Sequence, residues 1–256
     1  MERKMNHVEN NIDVSIVLPR YNENFLIIEK TIQRIRKIQE ILNVQVIIVN
    51  DSNRNNFHDV DILKIKKQYS DVMVISNCGN YGKGYSIRRG VDLANGKYIF
   101  YTDIDFPIKE SDFFRAYQQI KSSNIDLVIG ERFSKNKSRA NVYRKITSKF
   151  FLKVVNLLLR CEVSDSQCPF KMISSELAKE VFSKQKIKGY AFDAEIIYLT
   201  NRLSKKLYQL PVFWEDTREN WSFTKTLINY SVMILWVFSI KIYWVINDPK
   251  VMKSIF

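Results

Sequence analysis

At 256 residues the chain can bury one sizeable core, and 46% hydrophobic with 26% charged residues excludes a disordered protein. Forty Lys and Arg against 27 Asp and Glu leave a net charge of +13, which favours anionic partners: nucleic acid, an anionic bilayer or phosphorylated small molecules. Two His and no tight basic cluster argue against a nucleic-acid specialist, and Cys78, Cys161 and Cys168 lack CxxC spacing, which points to a reducing compartment without structural zinc.

Residues 1–11 are polar and charged with no apolar core, so a secretory signal is not expected. Residues 14–18 read as a buried strand ended by Pro19. The loop Arg20-Tyr21-Asn22-Glu23 leads to Asn24, a helix start, and to apolar positions at helical spacing (Ile28, Ile32, Ile35, Ile38) up to Leu42. A second strand, 44–49, ends in Asn50-Asp51-Ser52-Asn53. A short helix over 60–69 leads to a third strand, 72–75. This β-α-β-α-β order predicts a parallel sheet with helices on both faces.

Asn80-Tyr81-Gly82-Lys83-Gly84 opens a helix to about Ala94. Glycines with a lysine at a helix start suit a phosphate, although the Walker spacing is absent and, taken alone, a plain turn explains them better. Tyr98-Ile99-Phe100-Tyr101-Thr102 reads as a buried fourth strand, followed by Asp103-Ile104-Asp105-Phe106-Pro107, with Pro107 as terminator. On a strand, carboxylates at i and i+2 share a face, and two like charges so placed call for a hard divalent cation. The alternative is that one Asp caps the helix begun by Ser111. That helix runs to Lys121 and feeds a fifth strand, 126–129, ending in Gly130-Glu131-Arg132. Polar ends of four strands thus converge on one edge of the sheet, where open α/β sheets bind ligands.

The character then changes. Residues 142–160 form a helix mixing Arg144, Lys145, Lys149, Lys153 and Arg160 with Phe150, Phe151 and several Leu and Val, suited to a bilayer interface or to a core with a basic edge. Asp165-Ser166-Gln167-Cys168-Pro169-Phe170-Lys171 precedes a helix over 174–183. Ala191-Phe192-Asp193-Ala194-Glu195 opens another, and a last strand covers 207–214. Residues 226–246 are almost continuously apolar, borderline for a membrane span, and Lys241 near their end favours a helix lying in the interface. The expected division is a flexible 1–12, a catalytic domain over 13–222 and a membrane-associating helix and tail over 223–256.

Leu18-Pro19-Arg20-Tyr21-Asn22-Glu23, Asn50-Asp51-Ser52, Gly82-Lys83-Gly84, Asp103-Ile104-Asp105 and Gly130-Glu131-Arg132 together resemble the ordered motifs of inverting family 2 glycosyltransferases with the GT-A fold. Tyr143-Arg144-Lys145, the 165–171 segment and Ala191-Phe192-Asp193-Ala194-Glu195 are similar to the branch acting on polyprenyl phosphates, the dolichyl-phosphate glucosyl- and mannosyltransferases. The resemblance implies a Rossmann-like, mostly parallel sheet. It implies Pro19, Tyr21, Glu23 and Asp51 at the nucleoside, Lys83 and Asp103 at the diphosphate, and Asp103 and Asp105 on Mg²⁺ or Mn²⁺. Arg132 and Arg144 would act on the acceptor phosphate and leaving group. Lys171 and Lys225 would be further phosphate ligands, Lys225 through the blurred motif Asn220-Trp221-Ser222-Phe223-Thr224-Lys225. Asn50 and Ser52 depart from the usual Asp-Asp-Gly-Ser, and Pro169 stands where a glycine is usual.

The expected reaction moves a hexose, glucose before mannose, from UDP-glucose or GDP-mannose to polyprenyl phosphate at the cytoplasmic membrane face. No nucleic-acid partner is expected, and a homo-oligomer stays open. A phosphate acceptor is already ionised and needs positioning. A glycan hydroxyl, the alternative acceptor, would need a carboxylate base from Asp165, Asp193 or Glu195. A non-catalytic basic binding module and a nucleotidyltransferase are the remaining alternatives.

Overall fold

In the computed structural model, which describes residues 11–52, 59–133, 139–214 and 223–247, a seven-stranded sheet carries the chain. Its strands are β1 (Val14–Arg20), β2 (Val44–Asn50), β3 (Met73–Ser76), β4 (Tyr98–Thr102), β5 (Leu127–Phe133), β6 (Phe170–Ser174) and β7 (Leu207–Phe213), in the order β3-β2-β1-β4-β6-β5-β7. All pairs are parallel except those of β6, which runs antiparallel to both β4 and β5. β1 and β2 are rich in Val, Ile and Leu, and β4 is Tyr-Ile-Phe-Tyr-Thr, because both faces of these strands are covered.

Strand alternation divides the core between those faces. Ile16, Leu18, Ile48 and Phe100 meet α1 (Phe25–Gln39), α2 (Val60–Gln68) and α4 (Glu110–Ser122). Val17, Ile47, Ile99 and Tyr101 meet α3 (Lys83–Asp92), α5 (Arg139–Leu159), α6 (Ser175–Lys184), α7 (Phe192–Arg202) and α8 (Phe223–Ile246). Helix α1 starts where expected: the Asn24 side chain accepts from the Ile27 N–H at 3.1 Å, and Ile28, Ile32, Ile35 and Ile38 are buried.

Four details differ from the sequence reading. β1 runs on through Pro19 to Arg20, because its pairing with β4 ends at Val17↔Tyr101 and proline is tolerated where one side of a strand is unpaired. β5 continues through Arg132 to Phe133, held by β7. β6 was not anticipated. After β4 the chain turns at once: the Phe106 N–H donates to the Asp103 carbonyl at 3.0 Å, so Asp103 and Asp105 lie in a turn rather than on a strand, and strand alternation does not place them.

Helix α8 packs along α5, with Val237 and Ile240 buried and the Phe151 and Tyr230 rings 5.4 Å apart. Its outward side carries exposed Val232, Leu235, Trp236, Ile242 and Ile246, and α5 adds exposed Phe150 and Leu157. Among the described residues no helix is long and apolar enough to cross a membrane.

Candidate active site

The loops after β2, β3 and β4 are tied into one unit at the carboxyl edge of the sheet. Asp51, just past β2, is buried; its carboxylate accepts from the Tyr81 N–H at 2.9 Å, the Gly82 N–H at 2.7 Å and Asn77 Nδ2 at 2.6 Å. These bonds fix the start of α3, where Lys83 Nζ lies 2.6 Å from Asp103 Oδ1. Burial pulls the Lys83 ammonium down, but Asp103 and then Asp193 more than offset it, and its pKa is raised. The glycines beside Lys83 are explained by close approach. Gly82 has φ +98 and a Cβ there would meet the Lys188 carbonyl oxygen at 2.7 Å, while one on Gly84 would meet Phe192 Cβ at 2.6 Å.

The turn carrying Asp103 and Asp105 is held from α1. Thr31 Oγ1 donates to the Ile104 carbonyl at 2.6 Å. Arg34 donates to the Phe106 carbonyl at 2.6 Å, to the Ile108 carbonyl and to Glu110 Oε1 at 2.8 Å, with its guanidinium 5.2 Å from the centre of the Phe106 ring. Neither residue was singled out in the sequence, where a helix arginine beside an apolar stripe reads as solvated. Arg34→Ala removes the donor from all three acceptors. The expected result is a folded protein less stable by about 1.5–3 kcal/mol, the range for hydrogen bonds made by a charged group. A denaturation curve checks it; an unchanged curve would mean the turn stands without Arg34.

The donor set suits a hard divalent cation. Two carboxylates share one turn, and an ammonium already stands on one of them as a stand-in cation. Among the described residues no cluster of three or more His, Cys, Asp or Glu could hold a metal by itself. Binding through one or two carboxylates plus substrate phosphates is the Mg²⁺ pattern.

The other expected residues fall on β1 and the loop that follows it, on β5 and β6, and on α5 and α8. Pro19 lies in β1. Tyr21 is exposed, and Glu23 Oε2 accepts from the Tyr21 and Asn22 N–H groups at 2.8 and 3.2 Å, folding that loop on itself. Arg20 is wholly buried, paired with Asp59 and donating to Asn50 Oδ1 at 2.7 Å, which gives the departing Asn50 a structural role. Arg132 is gripped by Asp165 through two bonds, 2.6 and 2.9 Å. Lys171, expected at the acceptor phosphate, is instead fully buried on β6 with Nζ 2.7 Å from Asp193 Oδ1 and 2.8 Å from the Cys168 carbonyl. The side chains of Arg144 and Lys225 lie outside the described residues.

The sequence profile of glycosyl transferase family 2 matches residues 15–182. The chain belongs to that family. Among curated relatives of this family 2 glycosyltransferase, dolichyl-phosphate beta-glucosyltransferase ALG5A of Trichomonas vaginalis is 28% identical over 213 residues, covering 79% of this chain and 66% of its own length. The dolichyl-phosphate beta-glucosyltransferases of Dictyostelium discoideum and Saccharomyces cerevisiae are 27% and 26% identical, each over 80% of this chain and 67% of their own lengths. The chain thus spans about two thirds of the length of these relatives. In fold, the glycosyltransferase is similar to mannosyl-3-phosphoglycerate synthase from Rubrobacter xylanophilus (TM-score 0.67, 16% identity, 96% of this chain and 80% of that one). It is equally similar to glucosyl-3-phosphoglycerate synthase from Mycobacterium tuberculosis, solved with Mn²⁺, UDP and glucosyl-3-phosphoglycerate (TM-score 0.67, 17% identity, 90% and 80%). These likenesses establish the α/β, GT-A-like fold.

Within the glycosyltransferase, Glu195 on α7 anchors the 185–188 segment that covers α3. It accepts from the Lys186 N–H at 2.9 Å and the Ile187 N–H at 2.8 Å, and the Lys188 carbonyl in turn accepts from the Tyr85 N–H at 3.0 Å. Burial raises its pKa from 4.5 to about 7 against the opposing pull of those N–H groups. Between these values the native state binds more protons than the unfolded chain. Stability is therefore full below pH 4.5 and declines as pH rises through about 7, by on the order of 3 kcal/mol. Chemical denaturation from pH 5 to 8 should show this slope, and Glu195→Gln should abolish its share of it whatever its offset. A slope identical in both proteins would contradict the assignment.

Proposed function

We propose that this glycosyltransferase moves a hexose, glucose in preference to mannose, from a nucleotide-sugar to polyprenyl phosphate on a membrane surface, with inversion. One observation carries the choice of acceptor. The three carboxylates named from the sequence as bases for a hydroxyl acceptor are each engaged: Asp165 by Arg132, Asp193 by Lys171 and Glu195 by main-chain N–H groups. A phosphate acceptor, with a second pKa of about 6, needs no base. The names of the curated relatives support the same acceptor and sugar, and the structure of a neighbour with UDP-glucose and Mn²⁺ supports the donor class.

In this reading Asp103 and Asp105 would hold Mg²⁺ or Mn²⁺ against the diphosphate. The ion, when bound, would act as a Lewis acid on the departing diphosphate. Asp51 keeps the α3 start in place so that Lys83 can meet a phosphate oxygen, while Pro19, Tyr21 and Glu23 would border the nucleoside. Arg132 and Arg144, with Lys225, would position the acceptor phosphate. The catalytic unit would be 13–222, and 223–256 its membrane-facing helix and tail. The exposed apolar side chains of α5 and α8, beside exposed Lys149, Lys153 and Arg160, support contact with an anionic bilayer.

Labelled nucleotide-sugars incubated with the protein, Mg²⁺ and polyprenyl phosphate test the reading after organic extraction. Label from UDP-glucose is expected in the organic phase. Label confined to a water-soluble glycan would move the acceptor to a hydroxyl and overturn it.

A further inference from the structure

We infer that Lys83 is a resident counter-ion that keeps a divalent metal off Asp103 until a nucleoside diphosphate arrives, so that metal and nucleotide bind as a pair. The inference rests on the metal site proposed above and adds an order of binding to it.

Lys83 Nζ and Asp103 Oδ1 are 2.6 Å apart, and their side chains are only 14% and 37% exposed. A dication on the same carboxylate would sit within a few ångströms of the ammonium, in a setting where water screens the repulsion poorly. The lysine's backbone has no room to retreat. Asp51 pins the Tyr81 and Gly82 N–H groups on one side, and Gly82 and Gly84 lie against Lys188 and Phe192 on the other. Only the side chain can swing, and the next carboxylate inward, Asp193, is already held by Lys171 at 2.7 Å. A diphosphate changes this balance because its oxygens accept from the ammonium and ligate the metal together. Lys83 then passes from Asp103 to a phosphate oxygen, and Asp103 is released to the ion. By linkage, whatever the lysine costs metal binding in the free protein returns as synergy between metal and nucleotide.

The test measures Mn²⁺ binding to the full chain by the paramagnetic resonance of free Mn²⁺, without and with UDP, correcting for Mn²⁺·UDP formed in solution. Lys83→Met is expected to bind Mn²⁺ at least about tenfold more tightly than the wild type without UDP, and to gain correspondingly less from UDP. Lys83→Arg, which keeps the charge, should behave as the wild type, and melting curves confirm folding. Equal or weaker Mn²⁺ binding by Lys83→Met without UDP overturns the inference. Asp105→Asn separates the two readings. If it binds Mn²⁺ with UDP as well as the wild type does, the metal site itself is misplaced, whatever Lys83→Met shows.

Discussion

Asp105→Asn is expected to lower the rate of hexose transfer roughly a thousandfold, about 4 kcal/mol of transition-state stabilisation, while leaving the melting temperature within a degree or two. The substitution is nearly isosteric and falls in the turn that Arg34 and Thr31 clamp from α1, so the backbone has independent support. What changes is charge. With Lys83 on Asp103, the turn carries one carboxylate matched by an ammonium and a second carboxylate two residues on. A hard cation gains most from both, and an amide oxygen replaces an anion poorly as its ligand. Initial rates at saturating donor over a range of Mg²⁺ and Mn²⁺ concentrations read the effect. Transfer within threefold of the wild type would remove the metal from the proposed chemistry.

Lys171→Met should act on stability rather than on the acceptor. The Lys171 and Asp193 side chains are 0% and 4% exposed, and the ammonium also satisfies the Cys168 carbonyl. Removing it leaves the Asp193 carboxylate inside the protein with the Tyr101 hydroxyl, 3.4 Å away, still facing it. Breaking one side of a buried pair costs about 3–5 kcal/mol, which for a chain of this size lowers the melting temperature by roughly 6–20 °C. Adding Asp193→Asn should recover part of the loss, because the stranded charge goes with it. Were Lys171 an acceptor ligand instead, the variant would melt like the wild type and show a raised KM for the lipid phosphate.

The same lysine explains where sequence reading stopped. The first four strands were legible because each is an apolar run ending in polar residues, and the helices between them carry Ile at helical spacing. β6 was not, since a lysine at the second position of a five-residue segment reads as surface until α7 brings Asp193 across from it. Asp103 and Asp105 were legible as a pair by chemistry, but their geometry was not. β4 stops at Thr102, and the turn that follows takes its shape from Arg34 and Thr31, some 70 positions earlier in the chain. Glu195 was visible as an acid in a helix start. Its partnership with the Lys186 and Ile187 N–H groups depends on packing that one sequence does not reveal.

The reversed strand has a consequence for synthesis. Among β1 to β4 only β4 keeps an edge waiting for β6, and each finds a partner within the group soon after it is made. β5 does not. Its neighbours are β6 and β7, both downstream of it, and β6 must enter between β4 and β5 before the two halves of the sheet join. A ribosome therefore delivers Leu127–Phe133, an apolar edge with its hydrogen-bonding groups unmatched, well before residues 170–174 and 207–213 exist to cover it. The half of the chain that holds Asp51, Lys83 and Asp103 can assemble early, and the side that holds Arg132 is completed by the last strand to arrive.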